Sequence, residues 1–189
     1  MSPALWMFRD TLISLAHPRR RHDSEVTPRM HFPYRGLYVI TRARYPDTHH
    51  LTEAVVAALR GGAAVVQYRA KQPADPLGEA AALLAVCRQA GVPLIINDDV
   101  ELAAAIGADG VHLGREDGAL AAARQRMGLE AIIGVSCYDS VERAVQAVAE
   151  GADYVAFGRF FPSATKPLAP SATLATLAEA RRRVRAKTN

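Results

Sequence analysis

The sequence predicts an α/β chain folded as a parallel β/α barrel, and three observations carry that expectation. From Leu37 onward, short apolar runs alternate with runs patterned as helices. The segments Gly61-Gly62-Ala63, Gly107-Ala108-Asp109-Gly110 and Gly151-Ala152-Asp153 repeat one helix-to-strand transition. No G-x-G-x-x-G or Walker sequence follows the first strand, which weakens a dinucleotide or nucleoside-triphosphate reading. Strict alternation implies a parallel sheet with right-handed crossovers. Repetition of one transition favours a ring of equivalent units over an open doubly wound sheet.

Strands are expected at residues 37–41, 63–68, 93–97, 110–113, 131–136 and 153–157. All are short and almost continuously apolar, as strands buried on both faces are. Between the first two, Leu51, Val55, Ala58 and Leu59 share a helical face that Gly61 ends. Asp75-Pro76 reads as an N-cap followed by proline at the first helical position, with Gly91 closing that helix. Asp139, with Glu142 three residues on, reads as a variant capping box before Val145 and Val148, and Gly151 ends the segment. A last helix is expected from near Ser171 through Leu174, Leu177 and Val184.

With 189 residues, half of them hydrophobic and 22 % charged, the chain reads as one globular domain with a real core. Its net charge of +4 sits at the ends. Six arginines fall within residues 1–35, four arginines and a lysine within the last nine, and the body between carries an excess of acids. A nucleic-acid surface needs its charge on the folded body, so no nucleic-acid partner is expected. No run of about 18 apolar residues marks a membrane span, and Cys87 and Cys137 form neither a disulfide framework nor a metal spacing. Residues 1–35 read as a basic extension without regular structure, residues 36–189 as the barrel, and the cytoplasm as its location.

In a β/α barrel the chemistry lies at the carboxyl ends of the strands, and the unusual polar residues fall there. The second strand runs into Gln67, Arg69 and Lys71, alternate positions that share a face. Two cations and an amide suit a multiply charged anion such as pyrophosphate, and the plainer alternative is rim charges paired with Asp75 or Glu79. The third strand ends in Asn97-Asp98-Asp99 and the fourth in Gly114, Arg115, Glu116 and Asp117. Carboxylates from neighbouring strand ends suit Mg²⁺, whereas Asp98 and Asp117 taken singly read as helix caps. His112 reads as a packed core histidine. The fifth strand ends in Ser136-Cys137, with Cys137 read as structural, and the sixth runs into Gly158-Arg159-Phe160-Phe161-Pro162 and then Ser163, Thr165 and Lys166.

The segments QYRAK, IIND, GVHLGRED, IIGVS and GADYVAFGRFFPSATKP, in that order, resemble the thiamine phosphate synthase/TenI family, and specifically its thiamine phosphate synthases. The resemblance spans about residues 36–170 and implies a transferase that joins hydroxymethyl-aminopyrimidine diphosphate to thiazole phosphate, giving thiamine phosphate and pyrophosphate. It assigns Gln67, Arg69, Lys71 and Asn97 to the pyrimidine diphosphate, and Asp98 and Asp117 to Mg²⁺. Ser136 and Lys166 would contact the leaving diphosphate, making Lys166, Ser136 and Arg69 the catalytic set. Ser163 and Thr165 would face the thiazole phosphate, with Ser163 standing where the family usually has threonine.

The family's barrel continues through two more β/α units, so the resemblance implies about six units of the barrel here. Unpaired edges are then expected on the first and sixth strands, with Leu37, Val39, Ile40, Tyr154, Val155 and Phe157 exposed and self-association through them. Two other readings stand beside the synthase: an inactive fragment that only binds pyrophosphate, and a TenI-like isomerase or regulator. The Asp98/Asp117 pair and the Thr165-Lys166 loop argue against the last.

Overall fold

The computed structural model describes residues 11–14, 30–33, 35–114, 119–161 and 171–187. Its elements, in order, are β1 (Thr11–Ser14), β2 (Leu37–Ile40), α1 (Thr48–Arg60), β3 (Ala63–Tyr68), α2 (Pro76–Gln89), β4 (Leu94–Asn97), α3 (Val100–Ile106), β5 (Gly110–Leu113), α4 (Ala119–Met127), β6 (Ile132–Tyr138), α5 (Val141–Ala149), β7 (Tyr154–Gly158) and α6 (Leu174–Lys187). The sheet order is β1-β7-β6-β5-β4-β3-β2, and β2 to β7 pair in parallel, each with its neighbour in sequence. A doubly wound sheet reverses its strand order at a switch point; this one never does. Winding in one direction keeps the crossover helices on one face and curls the sheet into the wall of a TIM-type barrel. The six described parallel strands make a half-barrel of that type.

The two faces of that wall differ, because successive side chains of a strand point to opposite sides. Val66, Leu94, Ile96, Val111, Ile133, Val135, Val155 and Phe157 belong to one large core with Leu51, Val55, Leu83, Leu84, Ala144 and Val145 from the helices. Their alternate neighbours Val65, Ile95, Ile132 and Tyr154 form a second, smaller cluster with Phe32 and Tyr38 packed on it. The near-continuous apolar runs therefore do serve strands covered on both sides, and the smaller cluster lines the inner face.

The repeated Gly-Ala-Asp segments have a common physical job. Asp109, just before β5, accepts a hydrogen bond from the Leu94 amide at the start of β4 (2.9 Å). Asp153, just before β7, accepts one from the Ile133 amide in β6 (2.8 Å). Each aspartate ties a strand to the one before it at the amino-terminal end of the wall. The alanines repeat as well: Ala108 and Ala152 donate to Ala103 and Ala147, closing α3 and α5. Gly107 takes φ +66°, the left-handed exit that glycine provides without steric cost.

Three expectations are corrected. The cap of α5 is Ser140, whose side chain accepts from the Arg143 amide, not Asp139, and Glu142 instead pairs with Arg183 of α6. That last helix begins at Leu174 rather than near Ser171, and Leu174 itself is exposed. Finally, residues 1–35 are not devoid of structure: Thr11–Ser14 pairs antiparallel with β7, Thr11 opposite Gly158 and Ser14 opposite Val155. Phe32 also stacks on Tyr154, ring centroids 4.1 Å apart and 13° from parallel. With its outer edge paired, β7 keeps Tyr154, Val155 and Phe157 wholly buried, against the exposure expected of them. Val39 is buried too, whereas Leu37 and Ile40 are half-buried on β2, the other end strand among the described residues.

Candidate functional site

Because β2 to β7 are parallel, their carboxyl ends lie along one rim. Gln67 is the penultimate residue of β3 and is buried at 2 % exposure. It lies on the same face as Val65, hence on the inner face. Arg69 and Lys71 follow beyond the end of β3, one half-buried and one exposed. The backbone of Arg69 is pinned by the buried Thr41 at the end of β2. The Thr41 hydroxyl accepts from the Arg69 amide (2.8 Å) and donates to its carbonyl (3.2 Å). A bond from the Lys71 amide to the Ala43 carbonyl (2.8 Å) clasps the two loops further out.

The alternative that Arg69 and Lys71 are rim charges balanced by Asp75 or Glu79 does not hold. Asp75 spends its carboxylate capping α2, accepting from the Gly78 amide, and Glu79 accepts from the Tyr68 hydroxyl at 2.6 Å. Among the described residues, neither cation has a carboxylate partner. Two positive groups left over at a rim suit an anion supplied from outside.

Asp98 has likewise been read in two ways, as cap and as ligand. The cap of α3 is Asp99, which accepts from the Leu102 amide at 2.8 Å. Asp98 is released from that role and adopts φ +63°, a left-handed conformation that aspartate visits more readily than most residues. Its carboxylate accepts from the side-chain Nδ2 of Asn97 (2.7 Å) and approaches Gly114, where a Cβ would lie 3.3 Å from Oδ1. The carboxylate thus turns toward the end of β5, from which the chain continues into residues 115–118. Asp117 lies outside the described residues, as do Glu116, Ser163, Thr165 and Lys166. Among the described residues, no group of three or more His, Cys, Asp or Glu side chains is gathered to hold a metal.

Ser136 lies in β6 on the face of Ile132 and Gly134, and so on the inner face with Gln67 and Asn97. The sequence reading missed what surrounds it. His112, the residue opposite Asn97 in β5, bonds through Nε2 to the Ser136 hydroxyl (2.9 Å). Through Nδ1 it meets the Tyr154 hydroxyl (2.9 Å), which in turn meets that of Tyr38 (2.8 Å). Gly134 makes the space: a Cβ there would lie 2.0 Å from the Tyr154 ring. Arg143 of α5 was also missed. Its Nε donates to the Ser136 carbonyl and its Nη2 to the Gly114 carbonyl, both at 2.9 Å, fastening the ends of β5 and β6 together. The signal available for His112 was its position, the penultimate residue of a barrel strand and in phase with Asn97. Cys137, one residue from Ser136, faces the opposite side and is buried, and burial pushes its thiol up to about 12, as it does that of Cys87. Neither thiol is suited to act as a nucleophile.

The rim therefore brings together Gln67, Arg69, Lys71, Asn97, Asp98 and Ser136 from β3, β4 and β6, with a polar inner wall and two cations that have no carboxylate partner among the described residues. Such a set can hold a phosphorylated ligand over an apolar floor of Val65, Ile95, Ile132 and Tyr154.

Comparisons with known proteins agree on one family. The family model described as thiamine monophosphate synthase matches residues 37–188. A protein named thiamine-phosphate synthase from Methylococcus capsulatus is 59 % identical over 151 residues, covering 79 % of this chain and 67 % of the relative. One of the same name from Aromatoleum aromaticum is 56 % identical, covering 78 % and 72 %. Among solved structures, thiamine phosphate pyrophosphorylase from Pyrococcus furiosus is similar with a TM-score of 0.65 at 33 % identity, over 76 % of this chain and 67 % of the other.

Proposed function

Since the chain belongs to the thiamine monophosphate synthase family, we propose that it is a transferase that makes thiamine phosphate from hydroxymethyl-aminopyrimidine diphosphate and thiazole phosphate. The observation that carries this reading is the rim itself, where among the described residues Arg69 and Lys71 have no carboxylate partner and Asp98 is spared from capping by Asp99.

In the reaction the bond between the pyrimidine methylene carbon and the bridging diphosphate oxygen breaks. Its electron pair leaves with pyrophosphate. The thiazole nitrogen then gives its lone pair to the resulting benzylic-type cation, forming the new C–N bond. No side-chain nucleophile is required. The protein must instead stabilise charge on the departing diphosphate and hold the two substrates in line. Arg69 and Lys71, joined by Lys166 from the sequence that follows β7, serve the first need. The buried Gln67 amide and Asn97 hold the pyrimidine partner, and Ser136 donates to a leaving oxygen. Ser163 and Thr165 serve the thiazole phosphate. The donor chemistry at Asp98 fits Mg²⁺, a hard ion that takes carboxylate and phosphate oxygens and keeps its waters. Asp98 and Asp117 would hold it, and when bound it supplies further neutralisation of the diphosphate. Both substrates are small and soluble. Among the described residues, no helix is long and apolar enough to cross a membrane, and we assign the chain to the cytoplasm.

The test pairs two adjacent aspartates. With both substrates and Mg²⁺, the purified chain is expected to release thiamine phosphate and pyrophosphate together, measured chromatographically. Asp98→Ala is expected to lower kcat by about a hundredfold or more. Asp99→Ala is expected to keep kcat within a few-fold and cost about 1 kcal/mol of stability, as loss of a helix cap does. Absence of product from the unsubstituted chain, or equal kinetic losses from both substitutions, would refute the assignment.

A further inference from the structure

We propose that His112 and Tyr154 are positioning residues that fix the direction in which the Ser136 hydroxyl donates, so that Ser136 offers its proton outward to the leaving diphosphate. The inference rests on the reading above for the identity of that anion.

Four groups stand in line: the Tyr38 hydroxyl, the Tyr154 hydroxyl, the His112 imidazole and the Ser136 hydroxyl. Burial pushes both tyrosines well above their usual range, so each keeps its proton. With a neutral imidazole the line holds four hydrogens and three internal bonds, leaving one hydrogen at an end. Two arrangements satisfy that count. In the first, Tyr38 donates to Tyr154, Tyr154 donates to Nδ1 of His112, and Nε2–H donates to Ser136. The Ser136 hydrogen is then left to point away from the line. In the second, every bond runs the other way and the spare hydrogen belongs to Tyr38.

The surroundings separate the two. Tyr38 packs on Val65, Ile95 and Ile132, with Phe32 beside it at a ring distance of 6.2 Å, and among the described residues its hydroxyl bonds to Tyr154 alone. A spare hydrogen on this partly buried hydroxyl would have no acceptor among the described residues in a largely apolar setting, which carries a desolvation cost. At Ser136, half-buried on the rim side, the spare hydrogen faces the place of the anion. The first arrangement is therefore the stable one. It also strengthens the outward bond, because a hydroxyl that accepts from an N–H becomes a better donor. Reversing the line would present lone pairs to the diphosphate and oppose its departure.

The imidazole and the kinetics test this independently. In the full chain labelled with ¹⁵N-histidine, at about pH 8 where an ordinary imidazole is neutral, nitrogen NMR is expected to show His112 protonated on Nε2. His112→Gln identifies the signal by removing it. Protonation on Nδ1 would overturn the proposal, whether or not the chain is active. Tyr154→Phe keeps the ring stacked on Phe32 and removes only the hydroxyl. It is expected to lower kcat about tenfold, with KM for both substrates within about twofold. In a Ser136→Ala background the same substitution is expected to change kcat less than about twofold, since the hydroxyl it directs is gone. An equal tenfold loss in both backgrounds would show general support of the fold and overturn the positioning role. An unsubstituted chain without thiamine phosphate formation would refute the activity, while the nitrogen spectrum would still decide the direction of the line.

Discussion

Substituting Asp153 should destabilise the barrel more than any exposed charge would, and the size of the effect follows from its contacts. Its Oδ2 accepts both from the Ile133 amide (2.8 Å) and from Arg124 Nη2 of α4 (2.7 Å). Both side chains of the ion pair are only 12 % exposed. Asp153→Ala leaves the amide of a fully buried strand residue without its charged acceptor, a loss of about 1.5–3 kcal/mol. It also removes the anion from a guanidinium that is mostly shielded from water. Breaking such a pair from one side costs about 3–5 kcal/mol when burial is complete. Arg124 keeps the carbonyls of Ala131 (2.6 Å), Gly151 (3.0 Å) and Leu129 (3.1 Å), which softens that term.

A total of about 3 kcal/mol is reasonable for these contacts, equivalent to a fall in Tm of about 6–12 °C for a domain of this size. Asp153→Asn retains an acceptor for Ile133 and should lose about half as much. The comparison is Arg126→Ala, which breaks an ion pair with Glu101 whose side chains are 50 % and 74 % exposed and should cost less than about 0.5 kcal/mol. Urea titration and calorimetry of the three variants measure the differences. If Asp153→Ala falls within about 0.5 kcal/mol of Arg126→Ala, the aspartate before β7 does not fasten the wall.

Two further outcomes are expected. Burial holds the Asp109 carboxyl above its usual range, so the folded state binds its proton more tightly than the unfolded state, and the stability tied to that proton is lost as pH rises from 3.8 through the raised folded value. Asp109→Asn keeps an acceptor for the Leu94 amide without the charge, so its stability relative to the parent should grow over that window and then level off; a difference independent of pH would refute the cause. Gly134→Ala would place a Cβ 2.0 Å from the Tyr154 ring, and the forced shift should cost about 1–3 kcal/mol and slow thiamine phosphate formation, read by melting and turnover together; unchanged turnover would show that the ring's placement is unimportant.

The barrel was legible because its signals are local and repeated. Each parallel strand is covered on both faces and so reads as an apolar run, and each Gly-Ala-Asp transition performs the same hydrogen bonding at the foot of the wall. The rim was legible for a different reason: polar residues at strand ends have no packing role to explain them. What stayed hidden depends on partners distant in sequence. Asp98 and Asp99 are equivalent as caps on paper, and only the geometry shows Asp99 in that role and Asp98 turned away. Ser140 displaced Asp139 as a cap because β6 continues to Tyr138, which moves the start of α5 along the chain. Thr11–Ser14 gave no alternation to read, since a single antiparallel strand at an edge takes its register from β7 rather than from a pattern of its own.

His112 shows most clearly where sequence and site part company. Reading it as a packed core histidine was correct in its burial, 9 % exposed, and incomplete in its chemistry. A histidine enclosed between β4 and β6 must satisfy both ring nitrogens, and the two hydroxyls that do so come from strands that follow it, at Ser136 and Tyr154. Gly134 is what allows the second of them to reach. The same demand that makes a buried imidazole expensive without partners therefore orders the polar interior of the barrel, from Tyr38 beside the apolar floor to Ser136 at the rim. A core requirement and a site requirement are met by one line of hydrogen bonds, which is why neither could be read from a single strand.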